Sequence, residues 1–141
     1  MNSREFFYSF GKLLYNIDGY YTMYAKRYRV KENELWILYA LNDGNEHSQI
    51  EISQNWDIPK TTINTIIKQF EKVGYVELIQ IKGKKREMNI KLTKDGREYA
   101  EKLLSDLYLL EKKLYSSFTF DAGNLLNELT EMKDKLYKKK N

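Results

Sequence analysis

Residues 56–76 read WDIPKTTINTIIKQFEKVGYV, and this stretch decides the fold. It holds the chain's single proline, Pro59, followed closely by Thr61, Thr62, Asn64 and Thr65. Proline in a first helical turn gives up no hydrogen bond and presets its own backbone dihedral, so a helix starts at Pro59 and runs to about Val73. Ile63, Ile66, Ile67 and Phe70 then share one face, with Thr61, Thr62, Thr65, Lys68 and Lys72 away from it and Asn64 at its border. Gly74 ends the helix in the left-handed conformation that other residues avoid. Threonine is a poor helix former, and three of them on one open surface lower helix propensity without adding packing. The surface therefore calls for a use.

Working outward, HSQIEISQNWDI (residues 47–58) places Ser48 and Glu51 at capping-box spacing, so a short helix starts at Ser48 and is interrupted by Trp56-Asp57-Ile58-Pro59. A short helix, a tight turn and a second helix with one apolar face make a helix-turn-helix, whose second helix offers its open face to the DNA major groove. On the other side, YVELIQIKGKKREMNIKLT (residues 75–93) alternates apolar and polar residues on both flanks of Lys82-Gly83-Lys84-Lys85. That pattern predicts a β-hairpin with strands near 75–81 and 86–92 and a strongly basic tip.

The flanks are helical. Phe6, Phe10, Leu13, Leu14, Ile17, Tyr20, Tyr21, Tyr24 and Tyr28 recur at steps of three and four, which gives one long helix over about 4–28, too aromatic to stand alone in water. Val30 to Leu41 forms a shorter helix with Leu35, Trp36, Leu38 and Leu41 inward, stopped by the turn-forming residues 42–46. Thr93 caps a long helix carrying Ala100, Leu103, Leu107, Leu110 and Leu114 as a seam for another helix. After a break at 116–120, Asp121 caps a last helix with Leu125, Leu126, Leu129, Met132 and Leu136 on one face.

Composition narrows the function. The 141 residues suit one domain of mostly α (α+β) class, and no apolar run approaches the roughly 20 residues a membrane helix needs; with no signal-peptide pattern, a cytoplasmic location is expected. There is no cysteine, and one histidine, His47, cannot build a multi-histidine zinc site, so no metal and no cofactor is expected. His47 reads as a loop or cap residue. No Gly-rich phosphate loop, nucleophile elbow or Cys/His–carboxylate arrangement is visible, which argues against an enzyme. The net charge of +4 makes an anionic partner plausible, and its placement on the hairpin tip matters more than its size.

Three stretches, SQIEISQNWDIPKTTINTIIKQFEKVGYV, GKKREMNIKLT, and Leu92-Thr93 with Gly96, resemble in order and spacing the MarR family of winged helix-turn-helix transcriptional regulators over essentially the whole chain. The resemblance implies a homodimer on a pseudo-palindromic operator, residues 1–29 and 98–141 dimerising and 30–97 binding DNA. Two positions depart from the family pattern: Asp57 stands where relatives usually have glycine, and Lys84 where the wing usually has an aspartate two residues before its arginine, here Arg86. Aspartate tolerates left-handed backbone, whereas lysine cannot accept the hydrogen bonds that would order Arg86.

The candidate DNA contacts are Ser48, Gln49, Lys60, Thr61, Thr62, Asn64, Thr65 and Lys68 on the helix-turn-helix, and Lys82, Lys84, Lys85 and Arg86 on the wing. Asparagine can pair with adenine, threonine with a thymine methyl or a phosphate, and a wing arginine can enter a narrow minor groove. The plainer readings are a solvated helix face and an edge strand kept from aggregating by its lysines. Tyr15, Tyr20, Tyr24 and Trp36 are candidate contacts for a small aromatic effector, although such stripes more often form core or dimer interface. The expected function is a sequence-specific double-stranded DNA-binding regulator, a homodimeric repressor released by such an effector. The alternative is a winged-helix protein–protein interaction module that reads no bases.

Overall fold

The structure is a computed structural model that describes residues 1–84 and 86–138; Lys85 of the expected wing cations lies outside the described residues. The chain divides into two compact units, residues 1–105 and residues 106–141.

The first unit opens with α1 (Ser3–Arg27), followed by α2 (Glu32–Leu41), β1 (His47–Ser48), α3 (Gln49–Trp56), α4 (Lys60–Lys72), β2 (Val76–Gln80), β3 (Met88–Leu92) and the first half of α5 (Lys94–Ser116). The expected helices are all present. Pro59 is the residue that precedes α4 rather than its first member, with φ −57° and ψ 140°. The wing strands are shorter than expected at both ends of the tip, and they are joined by a strand that the alternation did not reveal. β1 pairs with β3 (His47 with Ile90, Ser48 with Asn89), giving a three-stranded antiparallel sheet in the order β1-β3-β2. Two residues are too few to show a period of two.

Register explains which side of the sheet is inside. Val76 faces Leu92 and Leu78 faces Ile90 across the β2–β3 ladder, and Val76, Ile90 and Leu92 are buried. They close a core with Leu35, Leu38 and Leu41 of α2, Ile52 of α3, and Ile63, Ile66, Ile67 and Phe70 of α4. Each buried side chain of this size contributes about 1.5–3 kcal/mol relative to exposure, so the apolar face of α4 is what fixes the helix in place. Tyr24 of α1 is also buried and donates its hydroxyl to the Leu103 carbonyl at 2.6 Å, fastening α1 to the first half of α5. The N-terminal part of the stripe stays open, with Phe6, Leu13, Leu14 and Ile17 exposed, while Phe10, Tyr20, Tyr21 and Tyr28 are half-buried.

Two capping details depart from expectation. Ser48 Oγ does accept the Glu51 N–H at 3.0 Å, but the Glu51 carboxylate lies against His47 Nδ1 at 3.0 Å, so the capping box is half formed. The complete one is at α1, where Asn2 and Glu5 exchange bonds of 2.9 and 3.2 Å. Thr93 performs as expected and more, accepting from the Gly96 N–H at 3.0 Å while donating to the Gly74 carbonyl at 2.6 Å.

The second unit contains the remainder of α5 and α6 (Ala122–Lys138). The expected break lies between them, and Asp121 Oδ1 accepts the Asn124 N–H at 3.0 Å to cap α6. Leu125, Leu126 and Leu136 on α6 are exposed, an apolar face without cover in the single chain. Among the described residues no helix is long and apolar enough to cross a membrane.

Candidate nucleic-acid interface

The turn into α4 is built by its neighbours. Asp57 adopts φ 50° and ψ 46°, the left-handed conformation that glycine adopts most readily. Ser53 secures it from below: its hydroxyl donates to the Ile58 carbonyl at 2.7 Å and its own carbonyl accepts the Ile58 N–H at 3.3 Å. Ile58 is thereby buried, and α4 follows Pro59 at its N-cap position with no side-chain cap. The first-turn N–H groups of such a helix are suited to an anion.

Along α4, Thr61, Asn64, Thr65 and Lys68 are exposed and Thr62 is half-buried. Asn64 and Thr62 have therefore exchanged the places expected of them. At about 100° per residue, Ile66 and Phe70 draw the centre of the apolar face toward Thr62, leaving Asn64 farther from it. Thr65 donates its hydroxyl to the Thr61 carbonyl at 3.0 Å, which leaves its oxygen as an acceptor for an outside group.

The wing tip turns at Lys82-Gly83, with Gly83 at φ 84° and the Lys84 N–H bonded to the Ile81 carbonyl at 3.0 Å. Glycine at the third position of such a turn admits the positive φ that this geometry requires. Lys84 Nζ pairs with Glu87 at 3.2 Å, so Lys84 takes an acid partner of its own instead of ordering Arg86.

Between the start of α3, the start of α4 and the wing lies an open concavity of about 390 Å³, lined in part by Ser48, Gln49, Lys60, Asn64, Arg86 and Glu87. Five of these six are residues singled out in the sequence. Glu87 was not, since an acid next to a basic tip carries no signal until the strand is folded. Lys82 and Lys84 sit exposed at the tip.

The aromatic candidates are distributed. Tyr15 is 82% exposed, Tyr24 is buried against Leu103, and Tyr20 meets Tyr21 edge-on at 6.0 Å. Trp36 meets Tyr21 in a tilted contact at 4.7 Å and stacks on Trp56 at 5.2 Å, all three rings half-buried.

His47 is more than a loop residue. Burial alone would push its ring toward the neutral form, but hydrogen bonds with Asp43 and then Glu51 outweigh burial and raise its pKa above the ordinary 6.5. Burial would likewise raise Asp43, yet the His47 bond, joined by Asn45, brings its pKa below the ordinary 3.8.

Comparison with known proteins agrees with this geometry. Residues 30–96 match the family described as winged helix DNA-binding domain. NMB1585, a MarR family regulator from Neisseria meningitidis, superposes with a TM-score of 0.79 at 21% identity over 100% of both chains. Reduced AbfR bound to DNA, a protein of Staphylococcus epidermidis, gives a TM-score of 0.69 at 17% identity over 96% of this chain and 94% of the other. Staphylococcus aureus MarR in complex with salicylate and kanamycin gives 0.68 at 20% identity over 96% and 93%. No curated protein sequence matches the chain. Residues 30–96 thus match a winged helix DNA-binding domain, and the chain has the fold seen in MarR family regulators.

Proposed function

We propose that the protein is a DNA-binding transcriptional regulator that reads a pseudo-palindromic operator as a homodimer and represses by occlusion. The observation that carries this reading is the shared concavity, in which Asn64 of α4, Gln49 of α3 and Arg86 of the wing converge. Residues 30–97 would contact DNA, with α4 in the major groove, Arg86 toward the adjacent minor groove, and Lys60, Lys68, Lys82, Lys84 and Lys85 on phosphates. Residues 1–29 and 98–141 would pair with a second copy. The open apolar residues of α1 and α6 support that role, because faces this apolar are unfavourable in water. Two copies placing their α4 helices about 34 Å apart would cover one side of the duplex and exclude polymerase.

A small aromatic effector is the regulatory part of the reading. It is supported by the relative solved with salicylate and by the half-buried rings of Tyr20, Tyr21 and Trp36. Such a ligand acts by binding one dimer state better than the other, and shifts DNA affinity by no more than that difference. Oxidation at cysteine is unavailable to this chain, which has none.

The test is selection from random duplexes of about 30 base pairs, long enough for two half-sites one turn apart. Enrichment of an inverted repeat is expected. Asn64→Ala should then relax preference at one position per half-site, while Lys60→Ala should weaken binding to all sequences and reduce the salt slope by about one. Equal loss on selected and random duplexes for both variants would exclude base reading and favour a protein partner for this surface.

A further inference from the structure

One imidazole holds the connection between α2 and α3. His47 Nε2 lies 2.9 Å from both Asp43 oxygens and Nδ1 lies 3.0 Å from Glu51 Oε1, with the histidine side chain 16% exposed. Asp43 stands just past the end of α2, Glu51 is in the first turn of α3, and His47 pairs with Ile90 in the wing strand β3. Thus the ring joins the segment just past α2 to the first turn of α3, on a residue whose backbone pairs with β3, beside Ser48 and Gln49, which line the concavity. The other nearby acid, Glu46, is engaged elsewhere, accepting from Asn89 at 3.4 Å. The partner opposite His47 on β3, Ile90, is neutral.

The protonation state of the ring decides whether this arrangement holds. Ionised carboxylates only accept hydrogen bonds, and a neutral imidazole has one N–H and one lone pair. It can serve Asp43 or Glu51, and turns a lone pair toward the other. The imidazolium donates to both and supplies the positive charge between two negative ones.

We propose that His47 is a positioning residue for DNA binding: as the imidazolium it holds the start of α3 to the segment that follows α2, and loss of its proton loosens that side of the concavity and lowers operator affinity. This rests on the DNA-binding reading above. The direction follows from linkage. Because Asp43 and Glu51 hold the ring's pKa above 6.5 despite burial, the stabilisation is complete below 6.5 and is lost as pH rises through the higher folded-state value.

His47 is the chain's only histidine, so its ring gives a single NMR titration. Affinities for the selected duplex and for a random duplex would be measured across the same pH range. The expected result is a fall of about fivefold in the ratio of selected to random affinity, at the low end of couplings between linked sites, with a midpoint matching that of the ring. Asp43→Asn should move both midpoints to lower pH together. His47→Gln should bind at every pH as the wild type does at high pH; if it fails to fold, Asp43→Asn still decides. An affinity ratio flat in pH, or an affinity midpoint that stays fixed while Asp43→Asn moves the ring, overturns the proposal and leaves the DNA-binding reading intact. Absence of binding to any duplex at any pH overturns that reading and this inference with it.

Discussion

Gly96→Ala sets a local rule against a tertiary one. Gly96 is the third residue of α5, where alanine is the better helix former by up to about 1 kcal/mol. Packing argues the other way. A methyl at 96 would overlap the carbonyl oxygen of Tyr75 and stand 2.8 Å from its carbon and 3.1 Å from its Cα. Ordinary contact starts at 3.4 Å, so the carbon alone must retreat by 3.4 − 2.8 = 0.6 Å, and the oxygen farther. A displacement of the Tyr75 peptide by about 1 Å is the overpacking response to expect.

Tyr75 is held on several sides. Its oxygen accepts the Thr93 N–H at 3.0 Å, its N–H donates to Phe70 at 2.8 Å, and its ring stacks on Tyr99 at 4.5 Å. Shifting it by about 1 Å loses the Thr93 bond, about 0.5–1.5 kcal/mol, and adds overpacking strain of about 1–3 kcal/mol. After subtraction of the full helix gain, a net loss of about 0.5–3.5 kcal/mol remains, centred near 2. β2 begins at the next residue, Val76, so the wing should be disturbed as well. Urea unfolding of Gly96→Ala would be compared with wild type and with Gly19→Ala, a helical site where an added Cβ meets nothing within 4 Å. Gly19→Ala should gain about 0.5–1 kcal/mol. If Gly96→Ala proves as stable as wild type, the close approach does not control this site and the reasoning fails.

Tyr24→Phe removes the buried hydroxyl that donates to Leu103 at 2.6 Å; a loss of about 1–2 kcal/mol is expected, read as a lower urea midpoint with the slope of the transition unchanged. Asp57, at φ 50°, should tolerate glycine, whereas Asp57→Val should cost at least about 1–2 kcal/mol, and thermal melts that rank valine level with glycine would rule out the left-handed turn. The Lys84–Glu87 pair is 61% and 39% exposed, so Lys84→Ala should change stability by less than about 1 kcal/mol while still weakening DNA binding at low salt; calorimetry paired with a salt titration separates the two effects.

The sequence was most informative where a local rule and the fold ask for the same residue. Pro59 and Gly74 bracket α4, and the spacing of Ile63, Ile66, Ile67 and Phe70 marks its buried face, so helix, boundaries and orientation could all be read. Legibility failed where a residue's role depends on something distant in the chain. β1 is two residues long and exists only because β3 lies beside it; Arg29 holds φ 59° at the end of α1 with no glycine to announce it. The aromatic stripe of α1 showed which face is apolar but not that only Tyr24 and Ala25 would be buried. Asp43, His47 and Glu51 are evenly spaced by four, which suggests one helix turn after another, yet they belong to a loop, a strand and a helix brought together by tertiary packing. Glu51 shows the contest directly. Capping would return its carboxylate to the Ser48 N–H, a bond with charge on one side only, whereas a bond to an imidazolium has opposite charges on both sides. The stronger interaction takes the side chain, and the start of α3 becomes tied to the one side chain whose ordinary pKa lies near neutrality.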